Sequence, residues 1–479
     1  MYLGIDLGTS GVKVVLIDDN QAVVASATSG IGASRPQPGW SEQDPSDWIT
    51  ATESALGQLS KSADLSGVRG IGLSGHMHGA TILGQDDRVL RPCILWNDTR
   101  AHAEAAELDA DPAFRAISGN IVFPGFTAPK LVWIARNEPE IFERISRVLL
   151  PKDYLRLWLT GEAVSEMSDA AGTSWLDTGA REWSDELLAK TGLGPEHMPR
   201  LVEGSAASGT LRREIAARFG FSDGVPVAGG AGDNAASAIG MGIVSPGQAF
   251  VSLGTSGVLF AANESYRPDP ETAVHTFCHA IPGVWHQMGV ILAATDALNW
   301  YGRFVGQRPE QLTGALESLE APGRTVFLPY LGGERTPLND ASIRGAFVGL
   351  EHATDQIAGT RAVLEGVAFA LRECRDALTA TGTKLDRLTA VGGGTRSEYW
   401  LKAIATALDC AIDLPSSAEL GAAFGAARLG MMVATGETVT IATPPKIAST
   451  IVPDKALIHE FDAGMERFRA ARQLIGEIR

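Results

Sequence analysis

Cysteine is scarce in this chain: four residues in 479, at Cys93, Cys278, Cys374 and Cys410. They lie far apart and form no metal-type pair, which argues against a disulfide frame or a zinc site. It agrees with reduced thiols, so a cytoplasmic protein is expected. No uninterrupted apolar run reaches the about 18–20 residues a membrane span needs. The start lacks a basic segment, and Asp6 interrupts the first apolar run, so no signal peptide is expected. Low-complexity tracts and long charge runs are missing. So is the G-x-x-x-x-G-K-[ST] string, which leaves a P-loop nucleotidase unsupported. Positive charge is short as well: 40 Lys and Arg stand against 56 Asp and Glu, for a net charge of −16. Such a balance argues against a nucleic-acid backbone or an anionic membrane as partner, while a local basic pocket for phosphate stays possible.

What is present is ordinary in bulk and unusual in detail. Apolar residues make up 45% and charged residues 20%, as in a soluble globular protein. A chain of this length exceeds one core, so two to three domains are expected. The detail is a repeat. Leu7-Gly8-Thr9-Ser10-Gly11-Val12 recurs half a chain later as Leu253-Gly254-Thr255-Ser256-Gly257-Val258. Each copy sits between two apolar, strand-like runs. A hairpin closed by such a turn offers backbone N–H groups and hydroxyls to a phosphate. Two copies suggest two related lobes gripping a polyphosphate between them. The copies differ where chemistry would require it. The first has Asp6 before the turn and Lys13 after it; the second has Ser252 and Leu259. The first lobe thus brings a carboxylate suited to a divalent cation and an ammonium suited to phosphate.

Along the chain, residues 1–30 read as paired strands. Asp44-Pro45 caps a helix running to about residue 59. Residues 68–74 and 80–83 read as strands, and a further strand ends at Trp96. Residues 224–233 form a strand entering a glycine-rich turn, and 234–241 a helix. Pro246-Gly247 breaks the chain, and a boundary is expected there, between a domain over 1–242 and one over 243–479. Residues 355–379 carry helical periodicity. Strand 388–391 leads through Gly392-Gly393-Gly394 into a helix over about 398–408. Alternating strands and helices predict an α/β fold.

Several motifs carry chemistry on residue type alone. Gly70-Ile71-Gly72-Leu73-Ser74-Gly75 matches a dinucleotide fingerprint in form, but its glycines fall inside a strand with more strand following, so that reading is rejected. His76 and His78 are spaced to share a strand face; without a third ligand a polar pocket fits better than a metal, and a structural role stays open for His76. In Gly229-Gly230-Ala231-Gly232-Asp233-Asn234, the glycines admit close approach and Asp233 opens a helix. A carboxylate there is suited to accept a proton from an attacking hydroxyl, or simply to cap the helix. Gly392–Gly394 suits a flat group or a phosphate pressed on backbone, or a tight turn. Gly421 and Gly425 form G-x-x-x-G in too short an apolar run for a membrane, which leaves close helix packing.

Taken together, these motifs resemble the FGGY family of carbohydrate kinases, within the actin/hexokinase-like ATPase superfamily. Gly4–Ser10 resembles the family's first phosphate motif, Leu253–Gly257 its second, and Val391–Gly394 its adenosine motif. Gly125-Phe126-Thr127-Ala128-Pro129-Lys130-Leu131-Val132-Trp133-Ile134 resembles one family signature. The segment from Gly345 to Glu365 resembles another at both ends, departing at Ala358-Gly359. The resemblance spans essentially the whole chain. Pro38–Gln43, Gly75–Gly79, Leu95–Arg100 and Gly230–Asn234 are similar to family members that phosphorylate D-xylulose.

What the resemblance implies is two ribonuclease-H-like lobes around a central ATP and sugar cleft, and ATP- and magnesium-dependent phosphorylation of D-xylulose to D-xylulose 5-phosphate. Asp233 and Asp6 would be catalytic, Asp233 as general base and Asp6 holding magnesium. Met77, His78, Trp96, Asp233 and Asn234 would contact the sugar. Gly8, Thr9, Ser10, Lys13, Gly254 and Thr255 would bind phosphates, and Gly393 and Gly394 the adenosine. A homodimer is implied as well. Another kinase of the family, acting on ribulose, fuculose, gluconate or glycerol, stays open, as does a non-enzymatic actin-like ATP switch.

Overall fold

The computed structural model describes residues 1–416 and 421–476. The chain divides into two compact units. The first comprises Met1–Val244, Phe277–Trp285 and the described residues of 419–444. The second comprises Ser245–Thr276 and the described residues of 286–418 and 445–479. Two stretches beyond residue 242 therefore pack with the first unit.

The first unit is built on the amino-terminal hairpin. Tyr2–Gly8 and Gly11–Ile17 pair antiparallel with Gly8 opposite Gly11, so Thr9-Ser10 forms a two-residue turn. Val23–Gly30 extends the sheet on one side. On the other side Tyr2–Gly8 runs parallel to Gly70–Gly75, followed by Pro226–Ala228 and Ala207–Thr210. Ala231–Gly232 pairs with Ser74 and Gly75, which carries Asp233 to the carboxyl end of the parallel strands. That end is where open α/β sheets place their ligands.

Helix Pro45–Ser62 covers one face. Asp44 caps it by accepting from the Ser46 N–H, and Trp48, Ala51, Ala55, Leu56 and Leu59 form its buried stripe. Helix Ala422–Thr435 lies against the sheet at glycine positions. A Cβ at Gly4 would stand 1.9 Å from the Ala423 carbonyl oxygen, and one at Gly72 1.8 Å from that of Ala426. The glycines of the Gly70–Gly75 string thus sit within a strand and admit a helix, in line with rejecting a dinucleotide site. Of the G-x-x-x-G pair, Gly425 makes the close approach, 1.8 Å from the Ala236 carbonyl oxygen, whereas a Cβ at Gly421 would meet nothing within 4 Å.

The second unit repeats the plan. Gln248–Leu253 and Gly257–Asn263 form a hairpin, Gln248–Leu253 runs parallel to Arg387–Val391, and that strand runs parallel to Ala411–Pro415. Here Leu253 pairs with Gly257, so the same six-residue string closes on a three-residue turn, Gly254-Thr255-Ser256. Helix Gln356–Ala380, capped by Asp355, and helix Glu398–Leu408, capped by Ser397, flank the sheet. Trp400 is buried between them and donates from Nε1 to the Leu364 carbonyl at 3.1 Å. Among the described residues, no helix is long and apolar enough to cross a membrane.

The expected elements are in place with small shifts. The strand expected to end at Trp96 is only Cys93–Ile94; Leu95 still donates to the Ser41 carbonyl in the same register, and the chain then turns, with the Asp98 N–H donating to the Leu95 carbonyl at 3.2 Å.

Candidate active site

The first unit gathers the carboxylates. Register places Asp6 opposite Lys13 on one neighbouring strand and Ser74 on the other, so the three share a sheet face. Burial pushes the Asp6 carboxyl above its ordinary value, while the Ser74 hydroxyl and the Lys13 ammonium pull it down. Asp6 Oδ1 is buried without a hydrogen-bond partner in the protein.

Asp233 is the first residue of helix Asp233–Met241. Its Oδ1 accepts from the Asn234 backbone N–H at 2.7 Å and from Asn234 Nδ2 at 3.0 Å. Burial, then the negative charge of Asp6, raise its pKa to about 7, against the lowering effect of the two Asn234 bonds. A carboxyl poised near neutrality can take a proton at working pH and release it again, the property a general base needs. The turn before it is clamped. Arg156, fully buried, donates to the Ala228 carbonyl at 2.6 Å and to the Gly229 carbonyl, and the Gly232 N–H donates to Ser168 Oγ at 3.1 Å.

Strand Gly70–Gly75 ends before the histidines, and His78 takes a left-handed backbone with φ of 70°. His76 and His78 therefore do not share a strand face. His76 is buried edge-on to Trp48 and held neutral, its pKa lowered to about 3 by burial and the nearby Lys130 charge. That is a core histidine. His78 is half-buried; its Nδ1 lies 2.7 Å from the Gly172 carbonyl oxygen, and its ring stacks on Phe126 at 4.5 Å. Met77 packs under the turn before Asp233, since a Cβ at Gly232 would stand 2.9 Å from its Sδ. Trp96 is 48% exposed and donates from Nε1 to Thr9 Oγ1 at 3.0 Å, tying its ring to the first phosphate-type turn. No group of three or more metal-ligating side chains occurs among the described residues.

In the second unit, the carbonyls of Gly254 and Thr255 accept from the Thr295, Ala294 and Asp296 N–H groups at the start of helix Thr295–Val305. The same helix borders a cavity of about 860 Å³ whose wall includes Gly393, Gly394, Asn299, Glu310 and Tyr399. Gly392 has φ of 96°, and a Cβ there would stand 2.6 Å from the Leu253 carbonyl oxygen, so only glycine fits between the strands. The Gly393-Gly394 segment thus lines this cavity, and the second phosphate-type turn is hydrogen-bonded to the start of the helix that borders it. Ser74 beside Asp6, Arg156 and Ser168 at the turn before Asp233, and Asn299 and Glu310 in the cavity, went unassigned in the sequence. None carries a local motif of its own.

With this geometry in view, similarity to known proteins is decisive on class. Residues 1–240 match the N-terminal domain of the FGGY family of carbohydrate kinases and residues 249–434 its C-terminal domain. The chain belongs to that family, and is an enzyme of the kinase class using ATP. Among particular relatives, it is 47% identical to the xylulose kinase of Escherichia coli (strain K12) over 478 residues, 99% of each chain. A crystal structure of a xyloylose kinase from Brucella ovis superposes with a TM-score of 0.98 at 64% identity, covering 100% of both chains. A Plasmodium falciparum glycerol kinase with ADP, 21% identical and covering 97% of each chain, has a TM-score of 0.88 and shares the fold.

Proposed function

We propose that this chain transfers the γ-phosphoryl group of ATP to D-xylulose, giving D-xylulose 5-phosphate and ADP. The observation that carries the reaction type is Asp233, a carboxyl poised at about pH 7 at the end of the parallel strands, beside the Met77-His78 turn. The sugar is carried by the near-full-length similarity to xylulose kinases. The same similarity disfavours ribulose, fuculose, gluconate or glycerol as the main acceptor. A carboxylate base beside a sugar-type turn leaves an actin-like switch without support.

Met77, His78, Trp96 and Asn234 hold the sugar with its terminal hydroxyl toward Asp233. Asp233 accepts the hydroxyl proton as the oxygen attacks the γ-phosphorus; the new O–P bond forms while the bond to the β-phosphate oxygen breaks, and ADP leaves with that electron pair. Gly8, Thr9, Ser10, Lys13, Gly254 and Thr255 bind the phosphates, and Gly393 and Gly394 bear on the adenosine. Asp6 fits a magnesium role, since Oδ1 is buried without a hydrogen-bond partner and a hard cation compensates a desolvated carboxylate. With no cage of protein ligands among the described residues, such a cation would be shared with phosphate oxygens and water. Bound magnesium would neutralise charge on the phosphates being separated. The reading also includes a cytoplasmic homodimer, which light scattering of the purified protein tests for stoichiometry.

The experiment is coupled ADP release with magnesium-ATP against D-xylulose, D-ribulose, gluconate and glycerol. Highest kcat/KM for D-xylulose is expected. Preference for another acceptor would overturn the sugar assignment, and no turnover of any would overturn the reaction.

A further inference from the structure

The Met77-His78 turn is held in an unfavourable shape from behind. His78 is not a glycine, yet its φ is 70°, a left-handed conformation that side chains rarely adopt unless their surroundings enforce it. Two side chains supply that enforcement. Lys130 Nζ donates to the His78 carbonyl at 2.8 Å, and Thr127 Oγ1 donates to the same oxygen at 3.1 Å. Both project from helix Thr127–Asn137 at a spacing of three residues, which puts them on one helix face. Both are fully buried, so neither touches a bound sugar.

Lys130 reaches a second stretch of the pocket wall. Its Nζ also donates to the Gly125 carbonyl at 2.7 Å. Gly125 in turn lies so close to Trp96 that a Cβ there would stand 2.3 Å from the Trp96 carbonyl oxygen. One buried ammonium thus ties the turn carrying Met77 and His78 to the backbone on which Trp96 rests. Burying an ammonium is costly, and a leucine would fill the space without that cost, so the position is explained by what the nitrogen holds. Crowding of the ring side adds to the constraint: a Cβ at Gly172 would stand 2.5 Å from His78 Nδ1 and 3.0 Å from Met77 Cε.

We propose that Lys130 and Thr127 are positioning residues that lock the His78 turn in its left-handed form and so set which acceptor the pocket prefers, an inference that rests on the reading of His78 as a sugar contact. Burial lowers the Lys130 pKa to about 7. The neutral amine still has two N–H donors for two carbonyls, so the hold survives loss of the proton.

The test is a cycle on the full-length protein, read as kcat and KM for D-xylulose, D-ribulose and ATP. The variants are Thr127→Val, Thr127→Ser, His78→Ala and the His78→Ala/Thr127→Val double. Loss of one hydrogen bond corresponds to about a fivefold effect. Thr127→Val is expected to raise the xylulose KM by about that factor and to lower the xylulose-to-ribulose preference alike, with ATP KM unchanged. Thr127→Ser, which keeps the hydroxyl, restores the wild-type preference. In the His78→Ala background Thr127→Val adds less than about twofold, because the side chain through which it acts is gone. Lys130→Met is expected to move the same parameters further; if it does not fold, the threonine series carries the test. The proposal is overturned if Thr127→Val leaves the sugar preference unchanged, or adds its full factor on top of His78→Ala. If His78→Ala itself leaves xylulose KM unchanged, the sugar-contact reading falls, and that failure is visible separately from the other.

Discussion

Replacing Asn234 by alanine should move the pH dependence of the reaction in a known direction. Asn234 Nδ2 donates to Asp233 Oδ1 at 3.0 Å, and the bond favours the ionised carboxylate. The backbone N–H bond at 2.7 Å to the same oxygen survives the substitution. A hydrogen bond to a charged group contributes about 1.5 kcal/mol, and one pKa unit corresponds to about 1.4 kcal/mol, so its removal raises the Asp233 pKa by about one unit. The wild-type carboxyl, with a pKa of about 7, is half ionised at neutral pH. The variant would be ionised to roughly a tenth there, so the ionisation part of the loss in kcat/KM is about fivefold at pH 7 and vanishes above about pH 9. The assay is kcat/KM for D-xylulose from about pH 5.5 to 9.5 at saturating magnesium-ATP. An acidic limb that stays put, or moves to lower pH, refutes the reasoning. Loss of the Asn234 contact to the sugar lowers the whole curve by a constant factor, whereas loss of its bond to Asp233 moves the limb, so the two effects separate.

Three further outcomes are expected. Asp6→Asn removes the charge that raises the Asp233 pKa, so that pKa, followed by carboxyl carbon NMR without metal, should fall, while the magnesium concentration for half-maximal activity rises at least several-fold; an unchanged magnesium requirement would sink the metal role. Gly393→Val places a side chain in the 860 Å³ cavity, with only Arg396 Nη2 near its Cβ, at 3.9 Å, and should raise ATP KM about tenfold or more while xylulose binding, measured calorimetrically, holds. Gly425→Ala forces a Cβ to 1.8 Å from the Ala236 carbonyl oxygen and should destabilise by about 1–3 kcal/mol or more, whereas Gly57→Ala, in open space on helix Pro45–Ser62, should stabilise by about 0.5–1 kcal/mol; thermal melts giving the reverse order would refute the packing argument.

The parts of the molecule legible in sequence were those encoded locally. The hairpins follow from their repeated turn, helix Pro45–Ser62 from its Asp-Pro cap, helix Gln356–Ala380 from its helical periodicity, and helix Glu398–Leu408 from its glycine entry. Asp233 was legible because glycines, a carboxylate and a helix start adjoin in one short string. What escaped was set by distant contacts. Nothing near His78 announces that its backbone is left-handed, because the groups that hold it there, Lys130 and Thr127, are about fifty residues on. His76 and His78 look equivalent in sequence and part only because the strand stops at Gly75. The spacing of Gly70 and Gly72 is ambiguous until helix Ala422–Thr435 is seen lying on them. The repeated hairpin string hides a difference too, since register alone makes one turn of two residues and the other of three.

The central claim, that Asp233 takes the proton from xylulose, is tested most directly by Asp233→Asn. This variant keeps the side chain's shape and removes its basicity. Single-turnover phosphoryl transfer from magnesium-ATP to D-xylulose, with xylulose affinity measured alongside, is the measurement. The account predicts a rate lower by about 10²–10⁴ at pH 7 with affinity within a few-fold of wild type. A variant that keeps more than about a tenth of the wild-type rate would contradict it.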